Sequence, residues 1–223
     1  MKPWAAIFDW DGVIVDSSAA HKLSWERLAA EERRRLPPGH FERSFGMKNE
    51  EIIPHLLGWT SEPLEVRRLS LRKEELYRQI IRQQGTVALP GVAGLLDRLH
   101  AAQVPCAIAS STHLENILCT LGAIGFGKYF REIVSAEDVE RGKPAPDIFL
   151  RAAQKLDVLP SRCVVFEDTA VGIEAARRAG MKVVAVATTH SPDKLSGADR
   201  VVHSLDGLPV ETLACWFDAP GRF

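Results

Sequence analysis

Carboxylates are concentrated in one apolar segment near the start of the chain. The segment AAIFDWDGVIVD, from Ala5 to Asp16, contains Asp9, Asp11 and Asp16. Like charges this close together are costly unless a cation or a proton relieves them. Asp9 and Asp11 are two residues apart, so in an extended segment their side chains face the same side. We expect these two to form part of a site, and Asp16, further along, to be a turn or cap residue.

Further polar side chains follow other predicted strands. Ser110, Ser111 and Thr112 follow the second, Glu167, Asp168 and Thr169 the fourth, and Lys143 precedes a predicted helix. Ligands bind outside the carboxyl ends of parallel strands, so these groups converge on one rim. Carboxylates from two strands suit Mg²⁺, whereas hydroxyls, helix N–H groups and a lysine suit phosphate oxygens. One aspartate can then coordinate metal and attack phosphorus, while the other holds a proton for the leaving oxygen.

Six short apolar runs predict the strands that carry these side chains. They are WAAIFD, VPCAIASS, EIVSAED, RCVVFEDT, KVVAVATT and DRVVHSL. Helical patterns lie between most of them: GVAGLLDRLHAAQ, HLENILCTLG ending at Gly122, PAPDIFLRAAQKLDV, and AVGIEAARRAG ending at Gly180. This alternation predicts an α/β fold with a doubly wound, parallel, Rossmann-like sheet and helices on both faces.

The segment between the first two strands predicts helices only. Its patterns are SSAAHKLSWERLAAEERRR, NEEIIPHLLG ending at Gly58, and EPLEVRRLSLRKEELYRQIIRQQG ending at Gly85. A helical block inserted in this way is typical of a separate small domain that covers a site. We therefore predict a helical cap over residues 17–88 and a core domain made of residues 1–16 and 89–223.

Composition narrows the classes of partner. The 223 residues carry a formal net charge of −1, which argues against a nucleic-acid or membrane-surface protein with a basic face. The four cysteines show no CxxC or CxxH spacing, which predicts free thiols in a reducing compartment. No apolar run is long enough to span a bilayer, and the start of the chain does not resemble a signal peptide. We expect a cytoplasmic monomer that binds a small phosphorylated metabolite.

Four segments resemble, in order and spacing, the motifs of the haloacid dehalogenase superfamily. They are DWDGV, ASST, GKPAPD and FEDTAVGIEAARRAGM. The helical insertion is similar to that of the β-phosphoglucomutase-like and phosphoglycolate-phosphatase-like branch, and the resemblance covers nearly the whole chain. It implies that Asp9 is the nucleophile that becomes an aspartyl-phosphate. It also implies that Asp11 is the general acid and then the base that activates water, with its main-chain carbonyl touching the metal.

The resemblance assigns roles to four further positions of the core. Ser110 and the amides that follow it, beginning with that of Ser111, hold the phosphate. Lys143 neutralises the nucleophile and the phosphate. Asp168 ligates Mg²⁺ directly, and Glu167 does so directly or through water. Catalysis of this kind consists mainly of positioning and charge stabilisation.

Candidate substrate residues in the helical insertion have two interpretations each. His21 is either a packed histidine or the counterpart of a histidine in the mutase branch. Lys73 lies inside an apolar stripe, where it either snorkels to solvent or, like a lid lysine of that branch, points towards a substrate anion. Asn49 stands where the mutase has an arginine that grips a distal phosphate, and it is also a plausible N-cap. Lys48 could partly compensate, and we expect Phe45 and Met47 to contribute to substrate selectivity.

Three functional hypotheses follow, from different classes. The first is a Mg²⁺-dependent phosphatase acting on a small phosphomonoester, and the second is a β-phosphoglucomutase-type sugar-phosphate mutase. The third is a non-catalytic phospho-switch similar to a receiver domain. Asp11 and the insertion argue against the switch, which needs neither a proton donor nor a cover. Asp11 also argues against a dehalogenase, and Asn49 favours the phosphatase over the mutase.

Overall fold

The computed structural model describes residues 4–44 and 47–218, and its centre is one parallel sheet of six strands. The strands are β1 (Ala5–Phe8), β2 (Cys106–Ala109), β3 (Glu132–Val134), β4 (Cys163–Glu167), β5 (Lys182–Val186) and β6 (Arg200–Val202). Their order is β3-β2-β1-β4-β5-β6, and each pair is parallel. All six predicted strands and the predicted parallel sheet are therefore confirmed.

The helices differ in a few places from the sequence patterns. They are α1 (Ser18–Glu31), α2 (His40–Ser44), α3 (Asn49–Glu51), α4 (Pro63–Gln84), α5 (Val92–Ala101), α6 (Leu114–Ile124), α7 (Asp147–Leu156), α8 (Ala170–Arg178) and α9 (Val210–Asp218). A π-helical turn covers Ile52–Leu56, and short 3₁₀ turns cover Gly127–Tyr129, Ala136–Asp138, Pro160–Arg162 and Pro192–Leu195. Helices α2 and α9 were not expected from the patterns. The predicted end of α6 at Gly122 is wrong, because the helix continues to a left-handed Gly125 with φ 71°.

Two apolar layers hold the sheet between helices. Along β1, Ala6 and Phe8 contribute to one layer and Ala5 and Ile7 to the other, as expected of alternating side chains. The first layer is completed by α5, α6 and α9, and the second by α7 and α8. Because β1 and β4 are buried along their whole length, their register is well specified, and the residues that follow each strand end at the same rim.

The chain divides into two compact units. One consists of residues up to Asp16 together with those from Thr86, and the other runs from Ser17 to Gly85. The chain therefore returns to the first unit between Gly85 and Thr86, slightly before residue 89, where the sequence predicts that the core domain resumes. Asp16 is exposed at the end of the first segment. No helix among residues 4–44 and 47–218 is long and apolar enough to cross a membrane.

The unit from Ser17 to Gly85, called here the helical unit, has its own apolar core. Helices α1 and α4 pack together through buried side chains that include Trp25, Leu28, Leu69 and Leu76. Ion pairs flank this packing on the exposed side, where Arg68 binds Glu32 and Arg72 binds Glu31. The predicted apolar stripe of α4 is buried at every position: Val66, Leu69, Leu76, Tyr77 and Ile80.

Candidate active site

Asp9 lies directly after β1, at the carboxyl end of the sheet. Its amide donates to the carbonyl of Phe166 at 2.9 Å, which continues the ladder between β1 and β4 by one residue. Its Oδ1 accepts from the amide of Trp10 at 2.8 Å, and its Oδ2 lies 2.9 Å from Nζ of Lys143. The aspartate is 8% exposed, so these contacts fix a nearly buried carboxylate at the rim of the sheet.

Lys143 bridges two carboxylates from neighbouring strands. Its Nζ lies 2.9 Å from Oδ2 of Asp9 and 2.6 Å from Oε1 of Glu167, and it stands 5.0 Å above the ring of Phe149. Burial alone would lower the pKa of the lysine, but the two carboxylates raise it above its usual value. Lys143 is therefore a fixed positive charge beside Asp9, although it is far from Asp9 in sequence.

Glu167 is fully buried, and both of its oxygens are engaged. Oε1 accepts from Lys143, while Oε2 accepts from the amides of Asp168 and Thr169 at 2.7 Å each and from the Thr169 hydroxyl at 2.9 Å. Thr169 is also the N-cap of α8, since its hydroxyl accepts from the amide of Gly172. A Cβ at position 172 would lie 1.8 Å from Oε1 of Glu167, so only glycine lets the helix begin this close to the carboxylate.

Asp168 carries the feature that points to a cation. Its Oδ2 accepts from the hydroxyl of Thr189, whereas its buried Oδ1 has no hydrogen-bond partner among the described residues. Burial, followed by the charges of Glu167 and Asp9, raises the pKa of Asp168 to about 8. One carboxylate oxygen from each of Asp9, Glu167 and Asp168 lies within 4.8 Å of the others. Three buried carboxylates with oxygens this close together, one of which also has an unpaired oxygen, fit a hard dication such as Mg²⁺.

Asp11 is half-buried and belongs to a tight turn after β1. Its Oδ2 accepts from the hydroxyl of Thr112, which follows β2. The next residue, Gly12, has φ 76°, and a Cβ there would lie 2.0 Å from Oδ2 of Asp168. Glycine is therefore needed at position 12 for two reasons: its backbone is left-handed, and that backbone passes close to the Asp168 carboxylate. The turn that contains it brings Asp11 to the same rim as Asp9.

The segment after β2 places a buried hydroxyl and two neighbouring residues at this rim. The amide of Ser110 donates to the carbonyl of Val134 at 3.0 Å, and its Oγ accepts from the amide of Thr112 at 3.3 Å. Ser110 is buried and Ser111 is exposed. The structure thus places every predicted site residue of the core at the carboxyl ends of β1, β2 and β4 or, for Lys143, directly beside them.

Three residues at this rim were missed by sequence reasoning. Gly12 is part of the DWDGV motif, which by itself predicts no role for the glycine, and Thr188 and Thr189 end the strand run KVVAVATT without any sign of a function. The hydroxyl of Thr188 donates to the carbonyl of Gly12, and that of Thr189 donates to Asp168. A signal was available, because β5 is parallel to β4 and residues directly after it end at the same edge.

In the helical unit, Lys73 is buried rather than exposed. It is 3% exposed, so the snorkelling interpretation is wrong. Its Nζ lies 2.7 Å from Nδ1 of His21 and 3.0 Å from Oε1 of Glu74. Because an ammonium can only donate, Nδ1 of His21 is the acceptor and the ring is neutral. Burial and the charge of Lys73 lower the pKa of His21 to about 3, and the ring stacks on Tyr77 at 4.2 Å.

Asn49 belongs to the same polar group, and its prediction as an N-cap is wrong. Helix α3 begins at Asn49 itself, with Lys48 in the N-cap position and no side-chain capping bond. The buried Asn49 amide instead donates to Oε1 of Glu74 at 2.6 Å and to Oγ of Ser70 at 3.2 Å. Lys48 is exposed, as is Met47, and Phe45 lies outside the described residues.

Glu74, which sequence reasoning also missed, links Lys73 to Asn49. Burial raises the pKa of the Glu74 carboxyl, but the charge of Lys73 and the amide of Asn49 more than offset this and lower it to about 2. We call the side chains of His21, Lys73, Glu74 and Asn49 the polar cluster. It contains one ammonium and one carboxylate, both buried, so its two buried charges cancel.

Comparison with known proteins agrees with the geometry of the rim. Residues 5–180 match the model of the haloacid dehalogenase-like hydrolase family. The chloroplastic 5-amino-6-(5-phospho-D-ribitylamino)uracil phosphatase of Arabidopsis thaliana is 40% identical over 208 residues, which cover 92% of this chain. The chain spans only 55% of that relative's length. Beta-phosphoglucomutase of Bacillus subtilis is 34% identical over 216 residues, covering 94% of this chain and 93% of the relative.

A solved structure shows the same fold. The crystal structure of beta-phosphoglucomutase from Clostridium difficile matches with a TM-score of 0.83 and 27% identity, covering 96% of this chain and 97% of that one. The predicted fold class is therefore confirmed, and so are the predicted superfamily branch and an enzyme of the phosphoric monoester hydrolase type. On this evidence the chain belongs to the haloacid dehalogenase-like hydrolase family.

Proposed function

We propose that this hydrolase releases phosphate from a small phosphorylated sugar or related metabolite, with Mg²⁺ as cofactor and an aspartyl-phosphate on Asp9 as intermediate. The observation that carries the proposal is the surroundings of Asp9. Its carboxylate is nearly buried, lies 2.9 Å from the ammonium of Lys143, and belongs to a set of three carboxylates that contains an unpaired oxygen of Asp168. This arrangement supplies a nucleophile, a fixed positive charge and cation ligands in one place.

The reaction would proceed in two displacements. First, an oxygen of Asp9 forms a bond to phosphorus as the ester P–O bond breaks, and Asp11 gives its proton to the leaving oxygen. Asp11 then takes a proton from water, the water oxygen attacks phosphorus, and the bond to Asp9 breaks to release inorganic phosphate. The hydroxyl of Thr112 donates to Oδ2 of Asp11 and helps to orient this carboxyl at the rim, which supports this role.

The positively charged groups would balance the phosphate. Asp9, Asp168 and the main-chain carbonyl of Asp11 would hold Mg²⁺, with Glu167 contributing directly or through water. When bound, Mg²⁺ offsets the negative charge of the phosphoryl group and of the carboxylates. Lys143 would bind a further phosphate oxygen, and Ser110 with the amides that follow it would bind the others.

The polar cluster favours a phosphatase over a mutase. We take residues 17–88 as a cap that contributes substrate contacts, including those of Lys48, Asn49, Lys73 and His21. A mutase must hold a doubly phosphorylated intermediate at both ends, which calls for a strong cationic grip. Here Lys73 is already paired with Glu74, and the Asn49 amide is committed to the same carboxylate. A distal hydroxyl suits such a neutral group better than a second phosphate.

The mutase is the second candidate, because beta-phosphoglucomutases are among the similar proteins and the exposed Lys48 is not tied to the polar cluster. The switch hypothesis has no comparable support, since the chain belongs to a family of hydrolases.

Product analysis separates the two candidates. The enzyme is incubated with β-glucose 1-phosphate and a trace of the corresponding bisphosphate, with Mg²⁺ or with chelator. We expect inorganic phosphate with Mg²⁺, little glucose 6-phosphate, and no turnover in chelator or in Asp9→Asn. Glucose 6-phosphate forming faster than phosphate would establish the mutase, and full activity in chelator would remove Mg²⁺ from the proposal. A panel of sugar phosphates and short acid phosphates then ranks substrates by kcat/KM.

A further inference from the structure

The loop after β5 reaches the carboxylates through two consecutive threonines. The Thr188 hydroxyl donates to the carbonyl of Gly12, and the Thr189 hydroxyl donates to Oδ2 of Asp168. Strand β5 is paired with β4, which ends at Glu167, so these bonds are made across neighbouring strand ends. No motif that carries the family resemblance includes either threonine.

The two oxygens of Asp168 are treated differently by the fold. Oδ2 is bonded to Thr189, whereas Oδ1 is buried without a hydrogen-bond partner among the described residues. A buried carboxylate oxygen left unpaired in this way is costly unless something else binds it. The hydrogen bond from Thr189 to Oδ2 therefore leaves Oδ1 as the oxygen that can bind a cation.

Gly12 makes the contact between Thr189 and Asp168 possible. A Cβ at position 12 would lie 2.0 Å from Oδ2 of Asp168 and 2.8 Å from Oγ1 of Thr189. The backbone of the turn after β1 thus packs directly against this hydrogen bond. With glycine on one side and the threonine hydroxyl on the other, the Asp168 carboxylate has little room to turn.

We propose that Thr189 is a positioning residue for divalent-cation binding. It holds Oδ2 of Asp168, so that Oδ1 is presented together with oxygens of Asp9 and Glu167. The inference rests on the proposed function, because it concerns the same cation site. Partners that orient the ligands of a metal typically change its affinity by 10–100-fold when removed.

Three substitutions test the role of the hydroxyl. Thr189→Val keeps the shape and removes the donor, and Thr189→Ser keeps the donor. Thr188→Val is a matched control, because Thr188 is the neighbouring threonine of the same loop and its hydroxyl donates to the carbonyl of Gly12, not to a carboxylate of the set of three. Binding of Mg²⁺ alone to each full-length protein is measured by isothermal titration calorimetry, without substrate. Melting temperatures in chelator are recorded in parallel.

We expect Thr189→Val to raise the Kd for Mg²⁺ by 10–100-fold, Thr189→Ser to stay within a few-fold of the wild type, and Thr188→Val to leave the Kd unchanged. If Thr189→Val binds Mg²⁺ as the wild type does, the inference is overturned and the proposed function stands. Equal losses in Thr189→Val and Thr189→Ser would also overturn it, since the hydroxyl would not be the cause. If the wild type itself binds no Mg²⁺, both proposals fail. Thr189→Ala replaces Thr189→Val if the latter melts below the assay temperature.

Discussion

The substitution Glu74→Gln isolates the charge of the buried ion pair in the helical unit. Glutamine keeps the size of the side chain and an oxygen that can accept from Asn49 and Lys73, but it leaves the Lys73 ammonium buried without a counter-charge. In the folded chain the pKa of Glu74 is lowered from 4.5 to about 2. At about 1.4 kcal/mol for each tenfold change in proton affinity, this corresponds to roughly 3 kcal/mol of stabilisation at neutral pH.

The sign of the pH dependence follows from the direction of this shift. Because the folded-state pKa lies below the unfolded one, the contribution is fully present above 4.5 and is lost as the pH falls through about 2. Removal of one partner of a buried pair typically costs about 3–5 kcal/mol, in the same range as the stabilisation that follows from the lowered pKa of Glu74. The loss of stability in Glu74→Gln should be confined to the helical unit, because the Lys73–Glu74 pair is buried there.

Hydrogen exchange measured by mass spectrometry on the full chain reports this loss locally. At neutral pH, we expect peptides from α1 and α4 of Glu74→Gln to exchange on the order of a hundredfold faster than in the wild type, since 3 kcal/mol corresponds to about that factor. The control is Glu75→Gln. The side chain of Glu75 is 50% exposed and pairs with Arg72, so its loss should cost less than about 1 kcal/mol. If the two variants exchange equally fast, the Lys73–Glu74 pair does not stabilise the helical unit.

Three further predictions follow from named contacts. Asp11→Asn should lower kcat/KM most for esters with poor leaving groups and partly spare an activated ester, because only the former need a proton in the transfer to Asp9; equal losses in kcat/KM on both would show that Asp11 is not the acid. Gly172→Ala should lower the melting temperature, since its methyl would lie 1.8 Å from Glu167, whereas Gly122→Ala meets nothing within 4 Å and should be neutral or stabilise by up to about 1 kcal/mol. Acidification from pH 6.5 towards 3 should lower the protection of amides in α1 and α4, measured relative to their intrinsic exchange rates at each pH, because the unfolded chain takes up a proton on His21 that the folded chain refuses until about pH 3. His21→Gln should flatten that part of the profile, and an unchanged profile would contradict the assignment of His21 as neutral.

The core of the fold could be predicted because its signals are local. Strands β1, β2 and β4 are short apolar runs that are buried along their whole length, and the residues that follow them are brought together by parallel pairing alone. The end of α6 could not be predicted in this way. Gly122 lies inside the helix, where an added Cβ would meet nothing, and the left-handed residue is Gly125. A glycine shows where a helix can end, but packing beyond it decides whether it does.

The remaining errors concern partners that lie far apart in the sequence. The stripe of α4 correctly predicts that Lys73 lies among apolar neighbours. Nothing in that stripe indicates that His21, from α1, accepts a hydrogen bond from the Lys73 ammonium. Asn49 has the residue type of an N-cap, yet its amide is taken by Glu74, 25 residues away. Thr189 was overlooked for the same reason, because its bond to Asp168 depends on the neighbouring position of β5 in the sheet.

The two groups of buried charges differ in a way that matches their proposed roles. At the rim of the sheet, the three carboxylates of Asp9, Glu167 and Asp168 face one ammonium, that of Lys143, so with all four groups ionised the net charge is −2. A divalent cation balances that deficit, and a buried imbalance of this size would otherwise be relieved by protonation. In the polar cluster, one ammonium meets one carboxylate and the histidine is neutral, so the sum is zero. On the proposed function, the first group would bind a cation before it accepts a phosphate, whereas the second, with no net charge, would suit the hydroxyl groups of a singly phosphorylated substrate better than a second phosphate.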